Sequence, residues 1–299
     1  MSMAVSPSVG TYATRSTYVS PSEFKNSPIG VDVSQLVPGG NANAQAAALV
    51  LQLQRASALA DNFCQKVLAA TVDTQAGYWR IQSHRSMGPV LKVTLDHTPI
   101  IAVSAVSVGT APNALIPLTD LSNVWISRKT ATIPLAGVAT GPTISRYDTN
   151  RFATVQYVNG WANTVITTSV PIGSTTITVA STLGIMPGMQ LNVQSANGSE
   201  MVTISPTFVP SNTGQGVAVP IVSPTVGAYS PNDTVTAMPQ DIKQAVILIA
   251  KSLIKTRGSE SITIASTSSQ PDHINHLEPG VSSDFDLAMD LLEPYKRAF

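Results

Sequence analysis

His273 and His276, in H-I-N-H, have a spacing at which two imidazoles can share a metal ion if a helix carries them. Here they lie in a Ser- and Pro-rich stretch with no third or fourth ligand nearby, and they read as solvated loop residues. His84 and His97 stand alone near strand ends and read as surface residues. Cys64 is the single cysteine, which excludes an internal disulfide and any multi-cysteine metal site. On an apolar helix face it reads as a buried structural thiol rather than a nucleophile. No nucleophile elbow, phosphate loop or dinucleotide fingerprint occurs, and G-Q-G at 214–216 reads as a turn. The glycosylation patterns beginning at Asn197 and Asn232 likewise read as turns. With no acid/base pair at a recognisable spacing, the expectation is a protein without catalysis, cofactor or metal.

Lys251, Lys255 and Arg257 are the cations best placed for phosphate contact, clustered at the end of one segment. The competing reading is that they complement the negative end of a helix dipole. Composition favours the second, because 17 basic residues balance 17 acidic ones and only 11% of the chain is charged. Duplex DNA binding normally requires a basic footprint. So few charges leave the surface to Ser, Thr, Asn, Gln and apolar groups, which hints at burial against other subunits. Trp125, Trp161, Tyr147 and Tyr157 fall in β regions and read as core or interface anchors.

The elements that must carry these residues are legible from periodicity. At 239–257, Pro239 suits the first helical position, Asp241 the positive end, Lys251, Lys255 and Arg257 the negative end, and Gly258 the stop. Ile242, Ala245, Val246, Ile249 and Leu253 form one face, which Ile247, Leu248 and Ile254 widen until most of the middle is apolar. A helix of that kind touches partners on more than one side. Ser20-Pro21-Ser22-Glu23 is a capping box opening a short helix around Phe24 that Pro28 and Gly30 end. Apolar residues at helical spacing from Ala46 to Val67 predict a long helix over 44–68. Period-two runs at 90–95, 101–108 and 152–158 predict an antiparallel sheet between 76 and 159. The block 164–237, rich in Thr, Val, Ser, Gly and Pro, reads as a small all-β module with a hairpin at Asn197-Gly198. A last helix is expected over 283–293, with Ser283 and Asp286 as its cap and Phe285, Ala288, Met289 and Leu292 on one face.

The fold expected is therefore α+β: a helical bundle with an antiparallel β sheet, plus an inserted small all-β module. Residues 1–17 read as a flexible arm, 18–163 with 238–258 as the core, 164–237 as the insertion, and 259–299 as a linker and docking helix. In that last segment Tyr295 and Phe299 would anchor to a partner, with Lys296 and Arg297 as rim charges. No run approaches the roughly 20 apolar residues of a membrane span. The N-terminus has neither the basic start nor the apolar centre of a signal peptide, so synthesis and retention in a cytoplasm are expected.

Y-V-S-P-S-E-F-K from Tyr18, A-S-A-L-A-D-N-F-C to Cys64, P-I-I-A-V-S-A-V-S-V-G to Gly109, V-Q-Y-V-N-G-W to Trp161 and the segment 238–258 follow one another in a telling order. In that order and spacing the chain resembles the head-tail connector (head completion adaptor) proteins of long-tailed bacteriophages. The resemblance implies a structural virion protein of the neck without enzyme activity. It would form a ring, typically twelve-fold, beneath the portal, meet a tail-completion or tail terminator protein, and surround the channel through which double-stranded DNA passes. Host cytoplasm would be its location during assembly. Ile247, Leu248, Ile254, Phe285, Met289, Leu292, Tyr295 and Phe299 would then be interface residues, and Lys251, Lys255 and Arg257 possible channel contacts. The block 164–237 departs from the short members of the family. A rival reading has that block bind a carbohydrate or receptor, which an exposed aromatic platform would favour, although its aromatics are only Phe208 and Tyr229.

Overall fold

Long-range locks between helices, a seven-stranded sheet and a separate β core define the molecule. The computed structural model describes residues 17–28, 31–34, 36–84, 88–135, 150–196, 198–210, 217–256 and 281–296. Helix α1 (Pro21–Asn26) begins as the capping box requires, with the Ser20 side chain accepting from the Glu23 N–H at 3.1 Å. Helix α2 (Ala42–Cys64) is capped by Asn41, whose side chain accepts from the Ala44 N–H. It stops short of the expected end at 68. Gln65 turns left-handed at φ 55°, and the chain from 65 to 68 wraps around the Asp61 carboxylate, which accepts the Leu68 N–H at 3.0 Å.

Strand β1 (Thr71–His84) begins before the expected start at 76 and is the spine of the sheet. It pairs with β7 (Asn150–Asn159) over Thr71–Arg80, and then with β2 (Gly88–Thr94) over Ile81–His84. With β3 (Ile100–Gly109), β4 (Leu115–Pro117), β5 (Trp125–Ser127) and β6 (Thr130–Pro134) these make a seven-stranded antiparallel sheet of order β4-β3-β7-β1-β2-β6-β5. Alternate residues, among them Leu91, Val93, Val106, Val108, Ile133 and Val155, line its core. Gln75 ties β1 to the end of β2, donating to the Thr94 carbonyl and accepting from the Asp96 N–H.

Beyond β7, Gly160 sits at φ 91°, where a Cβ would lie 2.5 Å from the Ala69 carbonyl oxygen. Only glycine permits this approach, which gives the N-G-W landmark a physical cause. Strands β8 (Asn163–Val165), β10 (Gln190–Ser195), β11 (Gly198–Thr203) and β13 (Thr234–Thr236) form a four-stranded sheet of order β11-β10-β13-β8, and β9 (Thr176–Val179) pairs with β12 (Val217–Pro220). Ser195 opposes Gly198 in the β10–β11 hairpin, so Gly198 is the first residue of the returning strand rather than part of the turn. This block has an aliphatic core of its own, including Ile166, Ile177, Leu191, Val193, Val202 and Val235. Its two ends meet, β8 pairing β13 and the Ala237 N–H donating to the Ala162 carbonyl at 2.9 Å.

Helix α3 (Gln240–Thr256) packs on α2 and on α4 (Val281–Leu292), which continues into a 3-10 turn, Glu293–Tyr295. Two covering helices account for its apolar circumference. Helix α4 starts before Ser283, so that residue lies inside the helix instead of capping it. It is also seated on its own chain: Ala288 and Leu292 are fully buried in the helical core, with Phe285, Met289, Leu291 and Tyr295 packed against it. The arm expected to lack a partner within its own domain is thus replaced by a helix that completes the core, because α3 offers the apolar face its stripe requires.

Candidate assembly surfaces

Among the described residues no group of three metal-ligating side chains occurs, and no helix is long and apolar enough to cross a membrane. His273, His276, Tyr147, Arg257 and Phe299 lie outside the described residues. His84 ends β1, and the His97 N–H donates to the Tyr157 hydroxyl. Cys64 is fully buried, its thiol pointing at the Leu292 carbonyl oxygen at 3.8 Å. Burial pushes this thiol up to about 11, with the Asp61 carboxylate as a lesser contribution. Against the ordinary thiol value of 9.0 that means about a hundredfold less thiolate at neutral pH. Alkylation of the native protein, followed by mass, is expected to be slower than a free thiol by at least that factor. It should accelerate only under conditions that detach α4, since Leu292 covers the sulfur.

The residues expected at a subunit interface are engaged inside the chain. Ile247, Leu248, Ile254 and Leu292 are buried in the helical core, and Phe285, Met289 and Tyr295 are half-covered by it. Tyr295 meets Trp161 edge to face at 5.5 Å. Their apolar character follows from intramolecular packing, so it does not by itself point to a second subunit. The cations expected near DNA are likewise paired: Lys251 lies 2.8 Å and Lys255 3.6 Å from the Asp284 carboxylate of α4. Complementing the helix end and fastening α4 uses the charge that a phosphate contact would need. Trp125, expected as an anchor, is 60% exposed, whereas Tyr157 is buried.

Sequence reasoning missed the polar locks. Lys243, 1% exposed, donates to Glu23 Oε1 at 2.9 Å, so the capping-box glutamate reaches across to α3 instead of closing its own box. Tyr18 donates to Asp61 Oδ1 at 2.6 Å while its N–H donates to Ser57 Oγ. Burial, reinforced by the Asp61 carboxylate, drives the Tyr18 hydroxyl well above its ordinary value. Tyr18, Glu23, Ser57, Asp61, Gly160 and Lys243 all fall within the landmark segments of the sequence. Four of the five landmarks therefore carry fastenings of the helical core, while the one ending at Gly109 is β3 of the sheet.

Among the described residues, two outer surfaces of the β regions stand out. On the β block Ile172, Met201, Val222 and Val226 are exposed, and a clamp in which Glu200 accepts from the Val226 and Gly227 N–H groups and the Tyr229 hydroxyl fixes the loop that carries Val226. Burial raises the Glu200 carboxyl, but these three donors outweigh it and leave it below the usual range. The only charged residues of the block are Glu200 and Asp233, and Asp233 accepts the Ser230 N–H. An aliphatic rim without free charge is suited to protein contact. The second surface is the outer face of the seven-stranded sheet, where Tyr78 stacks edge to face on Phe152 at 5.1 Å and Trp125, Arg80 and Lys92 face solvent.

Two solved structures are similar along nearly the whole chain. One is described as the neck of an empty GTA particle computed with C6 symmetry: 16% identity, 94% of each chain covered, TM-score 0.37. The other is described as the virion of a native gene transfer agent (GTA) particle: 16% identity, 95% of each chain covered, TM-score 0.35. Scores of that size fall short of a shared fold. No family model and no curated protein matches the chain.

The aromatic platform that would favour sugar binding by the β block is absent from its described residues. Phe208 and Tyr229 are both in its core. Their neighbours Ile204, Ile221 and Val219 explain this, since rings amid so many β-branched residues fill the inside of a small sandwich.

Proposed function

We propose that this chain is a structural subunit of a phage-type virion neck, an adaptor that assembles as a ring beneath the portal and joins head to tail around the DNA exit channel. The observation that carries the reading is that four of the five landmarks of the resemblance hold the core fastenings: the Tyr18–Asp61 and Glu23–Lys243 contacts and the Gly160 approach. Motifs that are weak one by one meet in one helical core, apart from the β3 segment. The aliphatic rim of the β block supports a role in protein contact, and the pairing of Lys251 and Lys255 with Asp284 leaves those cations without grip on passing DNA. In this reading the partners are further copies of the chain, twelve in the family pattern, the portal, and a tail-completion or tail terminator protein. The β block is an insertion that decorates the core, and the protein has no enzymatic role.

Imaging virions labelled with antibody to this protein tests the reading. Label confined to the head-tail junction, on a closed ring, is the expected result. Label on fibres or on the capsid surface, together with glycan binding by the purified protein, would replace it with the receptor-binding alternative.

A further inference from the structure

Arg80 and Lys92 sit one step beyond the paired Ile81 and Leu91 of β1 and β2, so both project from the sheet face opposite its core. Lys92 pairs through Thr132 with Trp125 on β5, and Arg80 pairs with Asn150 on β7, which places Asn150, Arg80, Lys92, Thr132 and Trp125 in one row. The Tyr78–Phe152 ring pair borders that row. Arg128 and Lys129, at the β5–β6 turn, are exposed too. The carboxylate within these five strands, Asp73, lies on the opposite parity and is held by Asn159 at 2.6 Å. Within the five strands this face carries cations and aromatic rings without a counter-charge; the nearest exposed carboxylate, Asp96, lies past the end of β2 beside the Arg128–Lys129 turn.

The reverse pattern occurs on α4. Its inner stripe is buried, while Asp286, Leu287, Asp290 and Glu293 form the outer stripe at helical spacing. Leu287 is 50% exposed, and Asp286 and Asp290 have no salt bridge among the described residues. The chain is neutral overall, with 17 charges of each sign, yet these two faces separate the signs, apart from Glu293, which pairs with Lys296.

We infer that the outer sheet face around Arg80 and Lys92 receives the acidic face of α4, around Asp286 and Asp290, from a second copy of this chain; the inference rests on the ring reading above and names its contact. Spacing agrees as well as sign. Asp286 and Asp290 are about 6 Å apart along their helix, and adjacent strands place Arg80 and Lys92 about 5 Å apart. Leu287, between the carboxylates, meets the Tyr78–Phe152 ring pair that borders the row. Because the two faces differ and both belong to one chain, the contact is head-to-tail, the kind that closes into a ring. Duplex DNA fits the face less well, since a phosphate track ordinarily engages some six to ten cations.

Self-association of the full chain at low and high salt, measured by native mass and imaging, tests this. Wild-type protein is expected to form rings at low ionic strength that weaken as salt screens the contact. Arg80→Glu/Lys92→Glu and Asp286→Lys/Asp290→Lys should each weaken association at least about tenfold, and the four changes combined should restore it. If the reversals fail to fold, Arg80→Gln/Lys92→Gln should give the same direction with a reduced salt dependence. Normal assembly by either reversed pair, or no rescue by the combination, overturns the contact. So does a variant that assembles normally but loses retention of duplex DNA, which assigns the face to DNA. Wild-type protein that stays monomeric at low salt, while virions carry it as a neck ring, overturns this contact alone; absence from the neck overturns the functional reading instead.

Discussion

Lys243→Ala is expected to destabilise the fold by about 3–5 kcal/mol, because it strands a carboxylate inside the helical core. Lys243 is 1% exposed and its ammonium lies 2.9 Å from Glu23 Oε1, while Glu23 Oε2 has no hydrogen-bond partner. The carboxylate therefore depends on one cation. Removing that cation leaves a buried charge without compensation, which costs more than the pair contributes when intact. Replacing both ends, with Glu23→Leu and Lys243→Met, should instead be near neutral, since a packed apolar pair avoids desolvating two ions. Urea unfolding of the two single variants and the double variant gives the coupling directly. Single variants both within about 1 kcal/mol of wild type would show that water reaches the pair and that it fastens nothing.

What the sequence made legible and what it hid divide along the range of the interaction. Helix α3 was readable because its dipole charges and apolar spacing lie within one continuous segment, although it begins at Gln240, one residue after the expected Pro239, and the expected stop Gly258 lies outside the described residues. So was the start of α1, where Ser20 and Glu23 are three residues apart. The Glu23–Lys243 pair spans 220 positions and the Tyr18–Asp61 bond spans 43, and no local pattern encodes either. The end of α2 was misplaced for the same reason: Phe63 and Val67 keep the helical period, but the Asp61 carboxylate draws the Leu68 N–H into a tight turn. β1 was shortened because Thr71 to Gln75 has only Val72 as an apolar residue, so the strand is set by pairing with β7 rather than by alternation. Apolar stripes announced correctly that α3 and α4 must be covered. They could not say by what, and the nearest answer, each other, is the one the chain adopts.

That mutual cover sets the expected result of removing 281–299. The truncated chain would expose much of what α4 now hides, including Ile247, Leu248 and Ile254 around the covered side of α3. It would also leave Lys251 and Lys255 without Asp284. Burial of Leu292 alone is worth roughly 1.5–3 kcal/mol, and Ala288, Phe285, Met289 and Tyr295 add to it. The sum is a large share of the 5–15 kcal/mol by which a domain is ordinarily stable. The truncated protein should bind a hydrophobic dye and melt at least about 10 °C lower, with the loss concentrated in the helical signal. The β block should keep its own transition, because its core includes no residue of α3 or α4. An unchanged melting temperature would mean that α4 sits on the core without stabilising it. That outcome would return the helix to the role of an arm free to dock elsewhere, and rapid Cys64 alkylation in the intact chain would have to accompany it, since the same helix covers that sulfur.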